Sequence, residues 1–187
     1  MRSLHLFNQI TLDGYFSDLR GGMSFAHRAD DEWTEFASNN AQGGGELVFG
    51  RVTYQMMQSF WPSEQAAKAM PVIAERMNSG PKVVFSRTLE RATWNNTRLL
   101  RGDIAAEMRK LKAESGPDLV IMGSGSLVAP LAQARLIDSY QLVICPIVLG
   151  QGKTLFAGVA DQLELELEKT RVFKNGNVVL WYTQARA

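Results

Sequence analysis

The chain has 187 residues, 45% of them hydrophobic, with 20 Lys and Arg against 19 Asp and Glu and one cysteine. That length favours one domain with a sizeable core, and the even charge balance excludes the broad basic field that draws in nucleic acid or an anionic membrane surface. The lone Cys145 excludes an internal disulfide and a cysteine-based zinc site.

The N-terminal stretch MRSLHLFNQI is too short in apolar residues for a signal peptide, and no run approaches membrane-spanning length. A cytoplasmic protein without a membrane partner is expected. Strand LHLFN, from residue 4, comes first, followed by a helix from about Asp30 to Asn40 and strand ELVFG at 46–50. Helical VTYQMMQSF and EQAAKAMPVIAERMN precede strand KVVFS at 82–86. Helix DIAAEMRKLKAES, strand DLVIMG, helix SLVAPLAQA and the long apolar strand YQLVICPIVLG follow. Within that last run Cys145 reads as buried filler, since a reactive thiolate needs an electropositive, accessible setting.

Strands separated by helices pair in parallel through crossovers, so the expected class is α/β, a three-layer α/β/α arrangement around a mostly parallel sheet. The tail LELELEKTRVFKNGNVVLWYTQ alternates polar and apolar residues on both sides of Asn175-Gly176, which predicts a C-terminal antiparallel hairpin closing the sheet. No linker, repeat or shift in composition marks a boundary, so residues 1–187 are read as one domain.

Three segments invite ligand chemistry. VIMGSGSLV places Gly123, Ser124, Gly125 and Ser126 between a strand and a helix. As a Rossmann fingerprint it fails at Val128 and comes too late in the chain, yet small residues at a helix start suit an anion. GQGKT, from Gly150 to Thr154, ends like a P-loop, but Ile147 stands where its first glycine belongs, so a turn is expected. In the third, strand ELVFG runs into Arg51-Val52-Thr53, and a related arrangement recurs as Ser86-Arg87-Thr88 after KVVF. Two parallel strands, each ending in an Arg and a hydroxyl, put these groups at one carboxyl edge of the sheet, where open α/β folds bind ligands.

The ordered blocks ITLDGYFSD, VFGRVTY, KVVFSRTL and VIMGSGSL resemble the dihydrofolate reductase fold. The continuation LIDSYQLVICPIVLGQGKTLF resembles specifically the C-terminal reductase domain of the riboflavin-pathway bifunctional deaminase-reductases, with no deaminase domain present. The resemblance covers essentially the whole chain. It implies NADPH as cofactor, with Gly50, Arg51 and Thr53 at its phosphates and Ser86 and Arg87 flanking the adenine ribose and its 2′-phosphate. Gly123, Ser124, Gly125, Ser126 and Leu127 would form the turn at the pyrophosphate and nicotinamide. Gln9 and Ile10 would offer backbone contacts to the carboxamide, and Asp13 and Gly14 would form a loop over the nicotinamide. Dihydrofolate reductases have a Gly-Gly cis peptide where this chain has Gly123-Ser124, which leaves the geometry of that bond open.

Hydride transfer needs a proton source, which this fold usually supplies from its first helix. Within ADDEWTEFASNN, Trp33, Phe36 and Ala37 define the inward face, and Glu32 lies at its edge as the candidate proton donor or substrate anchor. Asp30 or Asp31 reads as an N-cap and Glu35 as solvated. His5 reads as a structural histidine, while His27 falls in a loop near the pocket mouth. Trp33 and Trp181 suit core or interface positions, and Trp61 a helix end.

The implied function is NADPH-dependent reduction of a small heterocycle, first of all 5-amino-6-(5-phosphoribosylamino)uracil. Arg20 or Lys153 would then face a substrate phosphate. Alternatives are a dihydrofolate or pteridine reductase, and a non-catalytic NADPH-binding or resistance protein. A small-molecule substrate, no nucleic-acid partner, no metal and a homodimer complete the expectation.

Overall fold

Along β1 (Leu4–Thr11), Leu4, Leu6 and Asn8 are buried on one face while His5, Phe7 and Gln9 are half-buried on the other, the period of two expected of a strand. The computed structural model describes residues 1–26 and 28–185. His27, expected near a pocket mouth, lies outside the described residues, as do Arg186 and Ala187.

The remaining strands are β2 (Tyr15–Ser17), β3 (Glu46–Gly50), β4 (Lys82–Phe85), β5 (Thr97–Leu100), β6 (Leu119–Ile121), β7 (Ser139–Cys145), β8 (Lys153–Thr154), β9 (Leu165–Val172) and β10 (Val178–Gln184). Together with β1, seven of these form one sheet in the order β5-β4-β3-β6-β1-β7-β10-β9, and β2 and β8 make a separate ribbon. From β5 to β7 every pairing is parallel; β10 runs antiparallel to both β7 and β9. The expected α/β class and C-terminal hairpin are both present.

The helices are α1 (Asp31–Gln42), α2 (Arg51–Phe60), α3 (Glu64–Ala69), α4 (Pro71–Ser79), α5 (Ile104–Ala113) and α6 (Gly125–Gln133). One face of the sheet is covered by α5 and α6, which bury Met108, Leu111, Leu127 and Leu131 against Leu4, Leu6, Val48 and Ile121. On the other face Trp33 of α1 packs over Val143 and Val179, and Tyr54 and Met77 of α2 and α4 over Phe49 and Val84. These are the three expected layers.

Four local readings are corrected. The single helix expected over residues 64–78 breaks at Met70 (φ −142°, ψ 63°), because Pro71 excludes a helical conformation for the residue before it and opens a new helix as its first residue. The strand expected to run to Gly150 stops at Cys145, where Pro146 can donate no ladder bond. Strand β5, TRLL, was not anticipated: it is a sheet edge with no fully buried position, so it lacks an apolar run. The ribbon of β2 and β8 is three and two residues long, too short to carry a pattern. In the hairpin, Phe173 N donates to Asn177 O at 2.9 Å and Gly176 takes φ 89°, the conformation for which glycine is suited.

Charged groups brace the amino-terminal edge of the sheet. Buried Arg2 binds buried Glu46 at 2.6 Å, and Arg98 adds a contact to Glu46 at 3.5 Å and to Glu114 at 3.0 Å. Lys82, fully buried, caps the end of α4 by donating to the carbonyls of Met77 at 2.8 Å and Gly80 at 2.6 Å. His5 is structural as expected, its Nδ1 2.6 Å from Ser139 Oγ. Trp33 is buried in the core, and Trp61 terminates α2 with its N–H on Met57 O.

Candidate functional site

Three helices begin on a side-chain cap: Asp30 accepts from Trp33 N at 2.7 Å, Ser63 from Ala66 N at 3.1 Å and Asp103 from Ala106 N at 2.9 Å. At α2 and α6 the N-cap residues are Gly50 and Ser124, and neither makes a side-chain cap bond. Apart from Leu127 N, which donates to Ser124 O at 2.9 Å, their first-turn amides are left for water or a ligand, and each helix dipole adds positive potential at the same place.

The two uncapped starts are held together, since each continues one of the adjacent parallel strands β3 and β6. Gly50 N donates to Gly123 O at 3.1 Å. A Cβ on Gly50 would stand 2.6 Å from Ser124 Oγ and 3.4 Å from Ser126 Oγ, so a side chain there has to displace the Ser124 hydroxyl. Gly123 has φ 108°, and the Gly123-Ser124 bond, left open by the sequence, is cis. Ser124 Oγ and Ser126 Oγ lie 2.6 Å apart. On the far side, a Cβ on Gly125 would come 2.8 Å from Thr154 O, which wedges the turn against the β2–β8 ribbon. Leu127 is buried in the core, so what it offers this site is backbone.

Two side chains back the turn from beneath. Thr53 Oγ1 and Asn8 Nδ2 lie 3.5 and 3.4 Å from the point a Gly123 Cβ would occupy. Both residues are buried, and Asn8 Nδ2 has no hydrogen-bond partner. Asn8 was missed at the sequence level; its signal was a polar residue continuing the inward row of Leu4 and Leu6. Gln9 turns to the opposite face, where its Oε1 lies 3.9 Å from Cys145 Sγ. Ile10 packs at the margin of the main core.

Beside α2 runs an open groove of about 710 Å³ lined by Arg51, Gln55, Thr88, Glu90, Arg91 and Thr93. Arg51 is exposed and donates to Gln55 Oε1 at 2.9 Å. Ser86 Oγ is committed to the turn, accepting from Leu89 N at 2.8 Å and Thr88 N at 3.2 Å, and Arg87 is exposed. Arg91, not singled out from the sequence, lies in the groove wall instead. Arg101 fixes that wall by donating to Leu89 O and Glu90 O, each at 2.8 Å.

The two carboxylates of interest stand apart from this turn. Asp13 accepts from Thr11 Oγ1 at 2.6 Å, Gly150 N at 2.7 Å and Leu149 N at 3.1 Å. The Thr11 hydroxyl above all, with the two amides, holds its carboxyl below the usual range and ties the turn after β1 to the loop at Gly150. That loop, GQGKT, is a turn leading into β8, as expected. Glu32, in the first turn of α1, accepts from Arg171 Nη2 at 3.1 Å and Lys174 N at 3.5 Å, so it faces the C-terminal hairpin. Arg20 and Lys153 are exposed. Cys145 is fully buried, and burial pushes its thiol up to about 11. Among the described residues no group of three or more His, Cys, Asp or Glu could hold a metal ion, and no helix is long and apolar enough to cross a membrane.

Comparison with known proteins agrees with this architecture. The sequence profile of the RibD C-terminal domain matches residues 2–179. YyaP of Bacillus subtilis (strain 168), an uncharacterized protein, is 28% identical over 174 residues, 92% of this chain and 90% of its own. A provisionally named riboflavin biosynthesis protein of Shewanella sp. PV-4 superposes with a TM-score of 0.75 at 24% identity, all of both chains being covered. Dihydrofolate reductase from Enterococcus faecalis, complexed with NADP(H), superposes with a TM-score of 0.63 at 13% identity over 98% of this chain and 97% of its own. The fold is dihydrofolate reductase-like, and with its profile matched across nearly the whole sequence the chain belongs to the RibD C-terminal domain family, a family of reductase type.

Proposed function

We propose that the protein is an NADPH-dependent reductase of a small heterocycle, foremost a pyrimidine carrying a ribose-derived chain, as in 5-amino-6-(5-phosphoribosylamino)uracil. The observation that carries this reading is the junction of α2 and α6: two helix starts without side-chain caps, brought together at a glycine whose Cβ position lies against the Ser124 hydroxyl. A diphosphate suits such a place, since free amides, two helix dipoles and the Ser124 and Ser126 hydroxyls all favour an anion. The residues present therefore fit NADPH. Gly50, Thr53 and the Gly123–Leu127 turn would hold its diphosphate, and Arg51, Arg91, Ser86 and Arg87 would serve the adenosine and its 2′-phosphate.

When bound, the nicotinamide supplies a hydride. The chain's own task is to orient that ring over the end of β1, where the backbone of Gln9 and Ile10 is the expected contact. Asp13 then acts as a positioning residue that keeps the loop after β1 closed against Leu149 and Gly150. Glu32, held in place by Arg171, anchors the substrate or relays to it a proton taken from water. The same reading includes a homodimer through the sheet edge, where β9 exposes Leu167 and Val172; sedimentation tests it.

The test of the activity is the absorbance of reduced cofactor with the riboflavin intermediate and, separately, with dihydrofolate. Oxidation with the former supports the reading, oxidation only with dihydrofolate replaces the substrate, and none with either overturns the enzyme.

A further inference from the structure

Beneath α1 the sheet carries more amide than a core calls for. In the paired register, Phe7, Gln141 and Trp181 form one row across β1, β7 and β10, and Gln9, Val143 and Val179 the next. Thr11 and Cys145 begin a third row, and Asn177 comes just before the Val178–Ile144 pair, at the same end of the sheet. Asn177 is 0% exposed, and neither its Nδ2 nor its Oδ1 has a hydrogen-bond partner; Gln141 Nε2 is buried unpaired as well. A carboxamide buried without partners is destabilising, and a leucine of the same shape would not be. Stability gives no reason for asparagine here.

The surroundings suit a flat ring. Trp33 and Phe173 meet edge-on at 5.1 Å, and Phe25, carried on a short 3-10 turn at Ser24–Ala26, is buried in the same cluster as Cys145, Phe173 and Val179. Gln9 Oε1 reaches Cys145 Sγ from the β1 side. Aromatic walls and two carboxamides therefore share one end of the sheet, at the carboxyl-terminal end of β1 and β7.

We infer that Asn177, with Gln9 across β7 from it, reads the lactam edge of the heterocyclic substrate, the ring lying against Trp33 once Phe25 has moved off. Along one edge a carboxamide presents an N–H donor beside its carbonyl acceptor, the complement of a ring carbonyl next to a ring N–H. A site of buried polar groups also rejects analogues that lack the matching edge, because its own groups then stay unpaired. This inference rests on the heterocycle-reductase reading and names the residues that select its substrate.

The test uses 5,6-diaminouracil as probe, titrated by calorimetry and tryptophan fluorescence, with and without NADPH, so that failure of the cofactor reading is seen separately. Wild type binds the probe, and Asn177→Leu binds it about tenfold more weakly or worse, the loss of one hydrogen-bonded pair. The variant keeps its NADPH affinity and melts at the same temperature or higher. The 1,3-dimethylated probe, which has no ring N–H, binds wild type no better than the parent binds the variant. If Asn177→Leu does not fold, Asn177→Asp, of the same shape, takes its place with the same expected loss. Equal binding of the parent probe by variant and wild type, equal binding of both probes by wild type, or no binding of the parent probe overturns the inference.

Discussion

Gly50 and Gly123 are joined by a hydrogen bond of 3.1 Å between the backbone N–H of one and the carbonyl of the other. This bond holds the starts of α2 and α6 at one point, where a Cβ on Gly50 would be 2.6 Å from Ser124 Oγ and would have to push that hydroxyl aside. Gly50→Ala therefore displaces the serine turn while leaving both strands intact. The expected outcome is a folded protein destabilised by about 1–3 kcal/mol, the usual cost of overpacking, with NADPH affinity reduced at least about tenfold as the amides lose alignment. Chemical denaturation and a fluorescence titration measure the two effects.

On the proposed reading, cofactor choice falls to the arginines that line the groove beside α2. Arg51 and Arg91 are in its wall, whereas Arg87 is exposed and Ser86 is committed to the local turn. Replacing Arg51 or Arg91 by Ala lowers the ratio of NADPH to NADH affinity by about tenfold or more, the scale of one charge-assisted contact. Arg87→Ala changes the ratio less. Arg101→Ala, which frees the carbonyls of Leu89 and Glu90, weakens both cofactors together.

Lys82 gives a signature in pH. Burial first, and nearby Arg76 second, hold its ammonium down to about 8 from an ordinary value of 10.5. In the window between those values the unfolded chain keeps a proton that the folded chain has released, so this residue makes stability rise with pH there. Below about 8 its contribution is flat. Denaturation of wild type and Lys82→Met across the window isolates the effect, and the wild type should gain stability relative to the variant as pH rises.

Arg2 and Glu46 form a buried pair whose loss depends on how it is removed. Glu46→Gln leaves the Arg2 guanidinium buried without its counter-charge, and the expected cost is about 3–5 kcal/mol. Removing both charges, as Arg2→Met with Glu46→Leu, costs far less, because no orphan ion remains. Urea midpoints of the single and double variants make the comparison.

The legible parts of the fold were those with a run of apolar residues bounded by punctuation. ELVFG and KVVF lie in the buried centre of a parallel sheet, and the strand boundaries read from them, 46–50 and 82–86, fall within one residue of those observed. Strand TRLL lies at the sheet edge, half-exposed, and its residues carry no burial pattern to read. The break at Met70 was written in Pro71 but masked by strong helical periodicity on both sides.

The site divided along the same line. Backbone features, the helix starts after Gly50 and Ser124, were visible because glycine and serine at strand ends restrict what can follow. Side-chain features that depend on packing were not. Asn8 meets Gly123 only across the sheet, Arg91 reaches the groove only through the loop held by Arg101, and Asn177 becomes a buried orphan only when the hairpin folds over Cys145. Asp13 illustrates the converse: its position in the loop was read, but its engagement by Leu149 and Gly150, 136 and 137 positions away, was not.

On the proposed reading, the junction of α2 and α6 binds the diphosphate of NADPH. Amide chemical shifts recorded as NADPH is added to the isotopically labelled protein test it residue by residue. The expected result is saturable shifts, largest at Arg51, Val52 and Thr53 and at Ser124, Gly125 and Ser126, with smaller ones at Thr88 and Arg91. Shifts confined to other parts of the sheet, or none on adding excess NADPH, would contradict it.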